Sequence, residues 1–186
     1  MRQALLAGLG LLAFMAPGTV WSGENLSGRA LVIDGDTLNV RGKIIGLRGI
    51  SAPGPQQSCL NAAGESYACG KASAKALATH IGSAVVTCET QGSDEHGRIL
   101  AICRKGTEDL SAWMTAQGHA TANRQASSAY VTDEKQAWAK RRGLWAGVFD
   151  DPSVRQRFSY SAVNQVVATQ PDDRVTTTSA LSPKKR

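Results

Sequence analysis

The chain has no apolar run long enough to cross a bilayer. Its longest, Ala4 to Met15, falls well short of the ~20 residues that a spanning helix needs. Arg2 precedes the run, Pro17 and Gly18 break it, and Val20-Trp21-Ser22 offers a cleavage point. That pattern predicts a secretory signal peptide over residues 1–22 and an exported protein, periplasmic or secreted. Also absent is any Cys-x-x-Cys pair, and the three histidines, His80, His96 and His119, are scattered. Zinc is therefore the weaker reading of the cysteines, and no histidine is paired with a nucleophile. An excess of charge of one sign is missing too. The whole chain carries a formal net charge of +6, but residues 23–158 hold 16 Lys plus Arg against 13 Asp plus Glu, a net of +3. So small an imbalance does not by itself mark a nucleic-acid-binding domain.

Four cysteines are present, Cys59, Cys69, Cys88 and Cys103, which allow three pairings. Cys88 ends one strand-like run, "SAVVTC", and Cys103 ends the next, "RILAIC", with turn-rich residues between. A cross-strand bridge there is geometrically easy. Cys59–Cys69 would then close a short loop against the following helix. Disulfides of this kind suit an oxidising compartment.

Strand signals alternate with turns in "GRALVIDGDTLNVRGKIIGLRGI", which predicts strands near 28–33, 37–41 and 43–50. A loop rich in Pro, Gly and Gln runs from Ser51 to Cys69. "CGKASAKALATHIG" has helical spacing, with Ala74, Leu77 and Ile81 inward. "EDLSAWMTAQG" reads as a short helix stopped by Gly118. "SAYVTDEKQAWAKRRGLW" reads as a longer one stopped by Gly143, with Tyr130, Ala137 and Trp138 facing in. Asp133 and Glu134 at its start and Lys140, Arg141 and Arg142 at its end suit the helix dipole. Trp113, Trp138 and Trp145 are expected in the core. After Phe158 the composition turns polar and Thr/Ser-rich, which predicts a disordered tail over 159–186. The globular domain is then 23–158. Its order of elements fits an α+β fold, mainly β: a five-stranded barrel of the OB type capped by about three helices. Such barrels bind oligonucleotides and oligosaccharides alike, so the fold leaves both open.

Several short motifs stand in a telling order: "VIDGDT", "GISAP" with "CG" opening a helix, "DEHGR", "AQGHA", and Glu134 followed by Gly143-Leu144-Trp145. From about Gly28 to Phe158 the chain resembles the thermonuclease (staphylococcal-nuclease-like) family. The resemblance implies cleavage of phosphodiester bonds by water, aided by one Ca²⁺ held by carboxylates. Asp36 matches the first metal carboxylate. Arg98 matches an arginine that neutralises charge on the phosphoryl oxygens, with Asp94 in its usual place. The remaining positions differ. Gly46 stands where the family has a second arginine, Ser51 where it has a second metal carboxylate, and Gly54 where it has the water-assisting glutamate. Asn123 and Ala126 fall where tyrosines often pack on nucleotide, and His96 where an aromatic is common.

Losing a charge donor for the transition state commonly costs ~10²–10³ in rate, and losing a general base ~10²–10⁴. Base stacking worth ~1–3 kcal/mol is lost as well. These residues therefore predict a very poor nuclease with weak or absent Ca²⁺ binding. Arg48 is a candidate replacement, able to lean its guanidinium into the space beside Gly46. Ordinary structural roles compete with the catalytic ones. Asp34 and Asp36 can simply make a tight hairpin, Asp94 and Arg98 a local ion pair, and Glu65 a contact with water. The resemblance reaches thermonuclease-like chains of rhizobial exopolysaccharide genes. It implies a monomeric, non-catalytic or accessory envelope protein in exopolysaccharide (succinoglycan) biosynthesis, whose barrel binds an anionic polymer, polysaccharide or nucleic acid. The alternative is a weak secreted Ca²⁺-dependent nuclease using Asp36, Arg98 and Arg48.

Overall fold

A computed structural model describes residues 25–94 and 97–154. The expected signal peptide (1–22), His96 and the polar tail (159–186) lie outside the described residues. The chain opens with strand β1 (Asn25–Asp34), which turns tightly into β2 (Thr37–Val40) and then β3 (Lys43–Leu47). The second of these turns has left-handed backbone at both central residues, Arg41 (φ 52°) and Gly42 (φ 82°). That geometry matches the twist of a two-residue hairpin and sets Val40 opposite Lys43. A short strand β4 (Ile50–Ser51) and a small hairpin of β5 (Cys59–Leu60) and β6 (Ser66–Tyr67) follow. Helix α1 (Cys69–Ile81) leads to the long hairpin of β7 (Val85–Ser93) and β8 (Ile99–Lys105). Strand β9 (Glu108–Asp109), helix α2 (Leu110–Ala116), strand β10 (Thr121–Ala122), helix α3 (Val131–Ala139) and a 3₁₀ turn (Gly143–Ala146) complete the order.

Five strands close on themselves. β1 pairs with β2 and β7, β2 with β3, and β7 with β8, all antiparallel. The ring is completed by a parallel pair, β3 with β8, in which Gly46 faces Leu100 and Leu47 faces Ala101. Closure leaves these strands without free edges. Leu38, Val40, Ile45, Val86, Ala101 and both Cys88 and Cys103 are wholly buried in the core. Leu77 and Ile81 of α1 and Leu110 and Met114 of α2 join the same cluster. The fold is the α+β, OB-type barrel with capping helices that the sequence predicts. Among the described residues no helix is long and apolar enough to cross a membrane.

Three local expectations need correction. The third strand does not run to residue 50. It ends at Leu47, the chain turns through Gly49 (φ 81°), and Ile50–Ser51 pairs instead with Thr121–Ala122. Helix α3 does not reach Gly143 but stops at Ala139, because Arg141 takes a left-handed backbone (φ 48°). Trp138 is not core: it is 65% exposed. The buried residues of α3 are Glu134 and Ala137, three apart on one face, and Trp138 projects about 100° further round. Trp113 and Trp145 are half-buried.

Both disulfides form as expected, Cys59–Cys69 and Cys88–Cys103. Cys88 and Cys103 face each other across β7 and β8 and close a loop with a sequence separation of 15. Replacing both with alanine is expected to destabilise the domain by about 2–4 kcal/mol. Urea unfolding measures this, and an unchanged midpoint would show that the bridge adds nothing to the barrel.

Candidate functional site

The turn between β1 and β2 is pressed hard onto the rest of the protein. A Cβ at Gly35 would stand 1.9 Å from Ser73 Oγ on α1 and 2.6 Å from Ala52 Cβ. Only glycine lets the turn approach so closely. The next residue, Asp36, is thereby driven into the interior and left 4% exposed. Its backbone N–H donates to Asp34 Oδ1 at 3.0 Å, closing the turn. Its own carboxylate is well supplied. Oδ2 accepts from the Ala52 N–H at 2.7 Å and Oδ1 from Thr37 Oγ1 at 3.0 Å.

Arg98, the residue just before β8, supplies the counter-charge. Its backbone N–H and Nε donate to the two oxygens of Asp94, at 2.8 and 3.0 Å. Its Nη1 donates to Thr37 Oγ1 at 2.8 Å and lies 3.6 Å from Asp36 Oδ1. Thr37 thus accepts from the arginine and donates to the aspartate. The ion pair expected between Asp94 and Arg98 is present, but the same guanidinium also reaches Asp36. Burial pushes the Asp36 carboxyl up to about 6, and the nearby Asp34 charge adds to this. The Ala52 N–H, Arg98 and Thr37 pull the other way without cancelling it.

The positions that break the resemblance are not equivalent. A Cβ at Gly46 would meet Arg98 Cζ at 2.9 Å and Nε at 3.0 Å. The guanidinium that lies over the bare backbone of Gly46 is therefore that of Arg98. Arg48 does not lean there; it sits in the turn after β3 and donates from Nη1 to Gln91 Oε1 at 3.2 Å. Ser51 is wholly buried, and its Oγ accepts from Asn123 Nδ2 at 3.2 Å. Two departures from the family pattern, Ser51 and Asn123, thus touch each other. Gly54 has open space where a side chain would stand, and Ala126 and Glu65 are exposed.

Sequence reasoning missed Thr37, although a hydroxyl directly after Asp36 was the available signal. It read Glu134 as a helix-start charge and a motif residue, and gave it no buried partner. Glu134 is buried, accepts from the Ala122 N–H at 3.0 Å and pairs with Arg124.

A calcium ion takes six to eight oxygens, several of them anionic. Here both Asp36 oxygens already accept hydrogen bonds, Ser51 is neutral, and a guanidinium stands beside Asp36. Among the described residues no group of three or more Asp, Glu, His or Cys converges. This donor set does not fit the family's metal.

Asp36 holds its proton more tightly in the folded chain, where its value is about 6, than at its ordinary 3.8. The resulting stabilisation is present in full below about pH 4 and lost as pH rises through about 6. Asp36→Asn does not titrate. Its stability relative to the parent should therefore climb across that window, by up to about 3 kcal/mol. Denaturant unfolding at several pH values measures the difference, and a flat difference contradicts the raised carboxyl.

The family model described as "Staphylococcal nuclease homologue" matches residues 44–147, a span that holds β3 through the 3₁₀ turn. The succinoglycan biosynthesis protein ExoI of Rhizobium meliloti (strain 1021) is 32% identical over 138 residues, which cover 73% of this chain and 72% of that protein. With a closed OB-type barrel, a family match over more than half its length and a relative of that similarity, the chain belongs to the staphylococcal nuclease homologues.

Proposed function

We propose that the protein is an exported accessory factor of the cell envelope, acting in exopolysaccharide (succinoglycan) biosynthesis through binding and not through phosphodiester cleavage. The observation that carries this reading is the contact set around Asp36. Its carboxylate is satisfied by an amide, a hydroxyl and Arg98, and the neighbouring positions are Gly46, Ser51 and Gly54. A nuclease of this family would need there a metal cage, a base for water and a second cation. Ca²⁺ binding is then weak or absent. The polysaccharide role is supported by the similarity to the succinoglycan biosynthesis protein. Export is supported by two disulfides, which persist in oxidising compartments, and by the leader pattern of residues 1–22.

One observation favours the second reading, a weak Ca²⁺-dependent nuclease. Arg98 remains 27% exposed, so part of its guanidinium can meet a phosphate, with Asp36 behind it, while Arg48, the third residue of this reading, donates to Gln91. Incubating the mature protein with DNA and RNA, with and without Ca²⁺, separates the two. Calcium-dependent cleavage that Asp36→Ala abolishes would establish the nuclease. A gene deletion that leaves the amount, size and decoration of exopolysaccharide unchanged would remove the envelope role.

The combined substitutions Gly46→Arg, Ser51→Asp and Gly54→Glu are expected to raise nuclease activity by at least about 10²-fold. Residue 54 has room for the new side chain, whereas at residue 46 the side chain must displace Arg98. The same assay checks this, and no gain would show that the defect lies elsewhere.

A further inference from the structure

A groove beside α3 and the 3₁₀ turn, about 430 Å³ in volume, shares no lining residue with the Asp36–Arg98 contacts. Its walls include Trp138, Trp145, Phe149, Arg124, Glu134 and Asp151. Glu134 and Trp138 stand four residues apart on α3, about 40° apart round its axis, and both line the groove. Trp138 leaves most of a large indole in water. Glu134 is fixed by the Ala122 N–H and holds Arg124 in an ion pair. Asp151 is tied through Oδ1 to the backbone N–H and hydroxyl of Ser153, at 2.9 and 2.8 Å. Trp145 packs edge-on against Phe149, with ring centroids 5.0 Å apart. Among the described residues its Nε1 is buried without a hydrogen-bond partner, and an orphaned buried donor of that kind is uncommon.

We propose that this groove binds neutral sugar units of a glycan, with Trp138 as the stacking platform and Arg124 and Asp151 as partners for the hydroxyls. The proposal rests on the envelope reading for its class of polymer and adds to it the site and the part of the polymer that is gripped. A pyranose presents an apolar C–H face and a rim of hydroxyls that both donate and accept. An exposed indole covers the face, a guanidinium donates to the rim, and a carboxylate accepts from it. The charges argue against a nucleic acid. One arginine stands against two carboxylates, and that arginine is already paired with buried Glu134, whereas phosphate backbones are held by a surplus of cations.

The test titrates the mature full-length protein with a panel of neutral gluco-, galacto- and manno-oligosaccharides, read by tryptophan fluorescence and calorimetry. The parent should bind at least one saturably. Trp138→Ala should weaken that binding about tenfold or more, the scale of a lost aromatic contact, while Trp138→Phe retains most of it. Trp138 is exposed, so both variants should keep the parent's circular dichroism. No saturable binding, equal binding by Trp138→Ala, or Trp138-dependent binding of a short oligothymidylate in place of sugar would each overturn the proposal. If gene deletion alters exopolysaccharide while sugar binding ignores Trp138, the groove fails and the envelope reading stands. Trp138-dependent binding with unaltered exopolysaccharide reverses that outcome.

Discussion

The buried carboxylate of Asp36 is the junction on which this end of the barrel depends. A charge removed from water must find partners or take up a proton. Here it finds an amide from the β4 segment, a hydroxyl from β2 and a guanidinium from just before β8. Three separate parts of the chain are thereby tied to one point. The parallel pairing of β3 with β8 brings Arg98 within reach, because Ile45 faces Ile99, the residue next to the arginine. Gly35 completes the arrangement by allowing the turn to touch α1.

Two departures from the family pattern acquire a physical sense in this setting. With no side chain at residue 46, the guanidinium of Arg98 lies against bare backbone and stays close to Thr37 and Asp36. With a serine at residue 51, a buried second carboxylate is replaced by a hydroxyl that Asn123 can satisfy. The serine lowers the local demand for a bound cation by removing negative charge, whereas the glycine removes a positive charge and leaves Arg98 as the guanidinium beside Asp36. A scaffold whose polar groups satisfy one another in this way has less reason to recruit calcium.

The barrel was legible in the sequence because its signals are local. Paired turns, alternating strands and cysteines at matching strand ends each carry their own geometry, and the two disulfides follow from them. The placement of Asp36 and Arg98 was legible through motif order. What escaped depended on contacts between distant segments. Arg48 and Arg98 are both plausible occupants of the space at Gly46 when only strand alternation is considered. The early end of β3 at Leu47 and the pairing of β3 with β8, which sets Arg98 over Gly46, decide between them. The buried role of Glu134 and the exposure of Trp138 are set by how α3 rotates against β10, and short helices with few apolar residues do not fix that rotation by pattern alone.

The protein's own groups satisfy Asp36, and the proposed reading is that they leave no calcium site there. Calorimetric titration of the mature protein with Ca²⁺ near neutral pH tests it most directly. No saturable binding is predicted in the parent or in Asp36→Asn. Stoichiometric binding in the parent that vanishes in Asp36→Asn would contradict the claim.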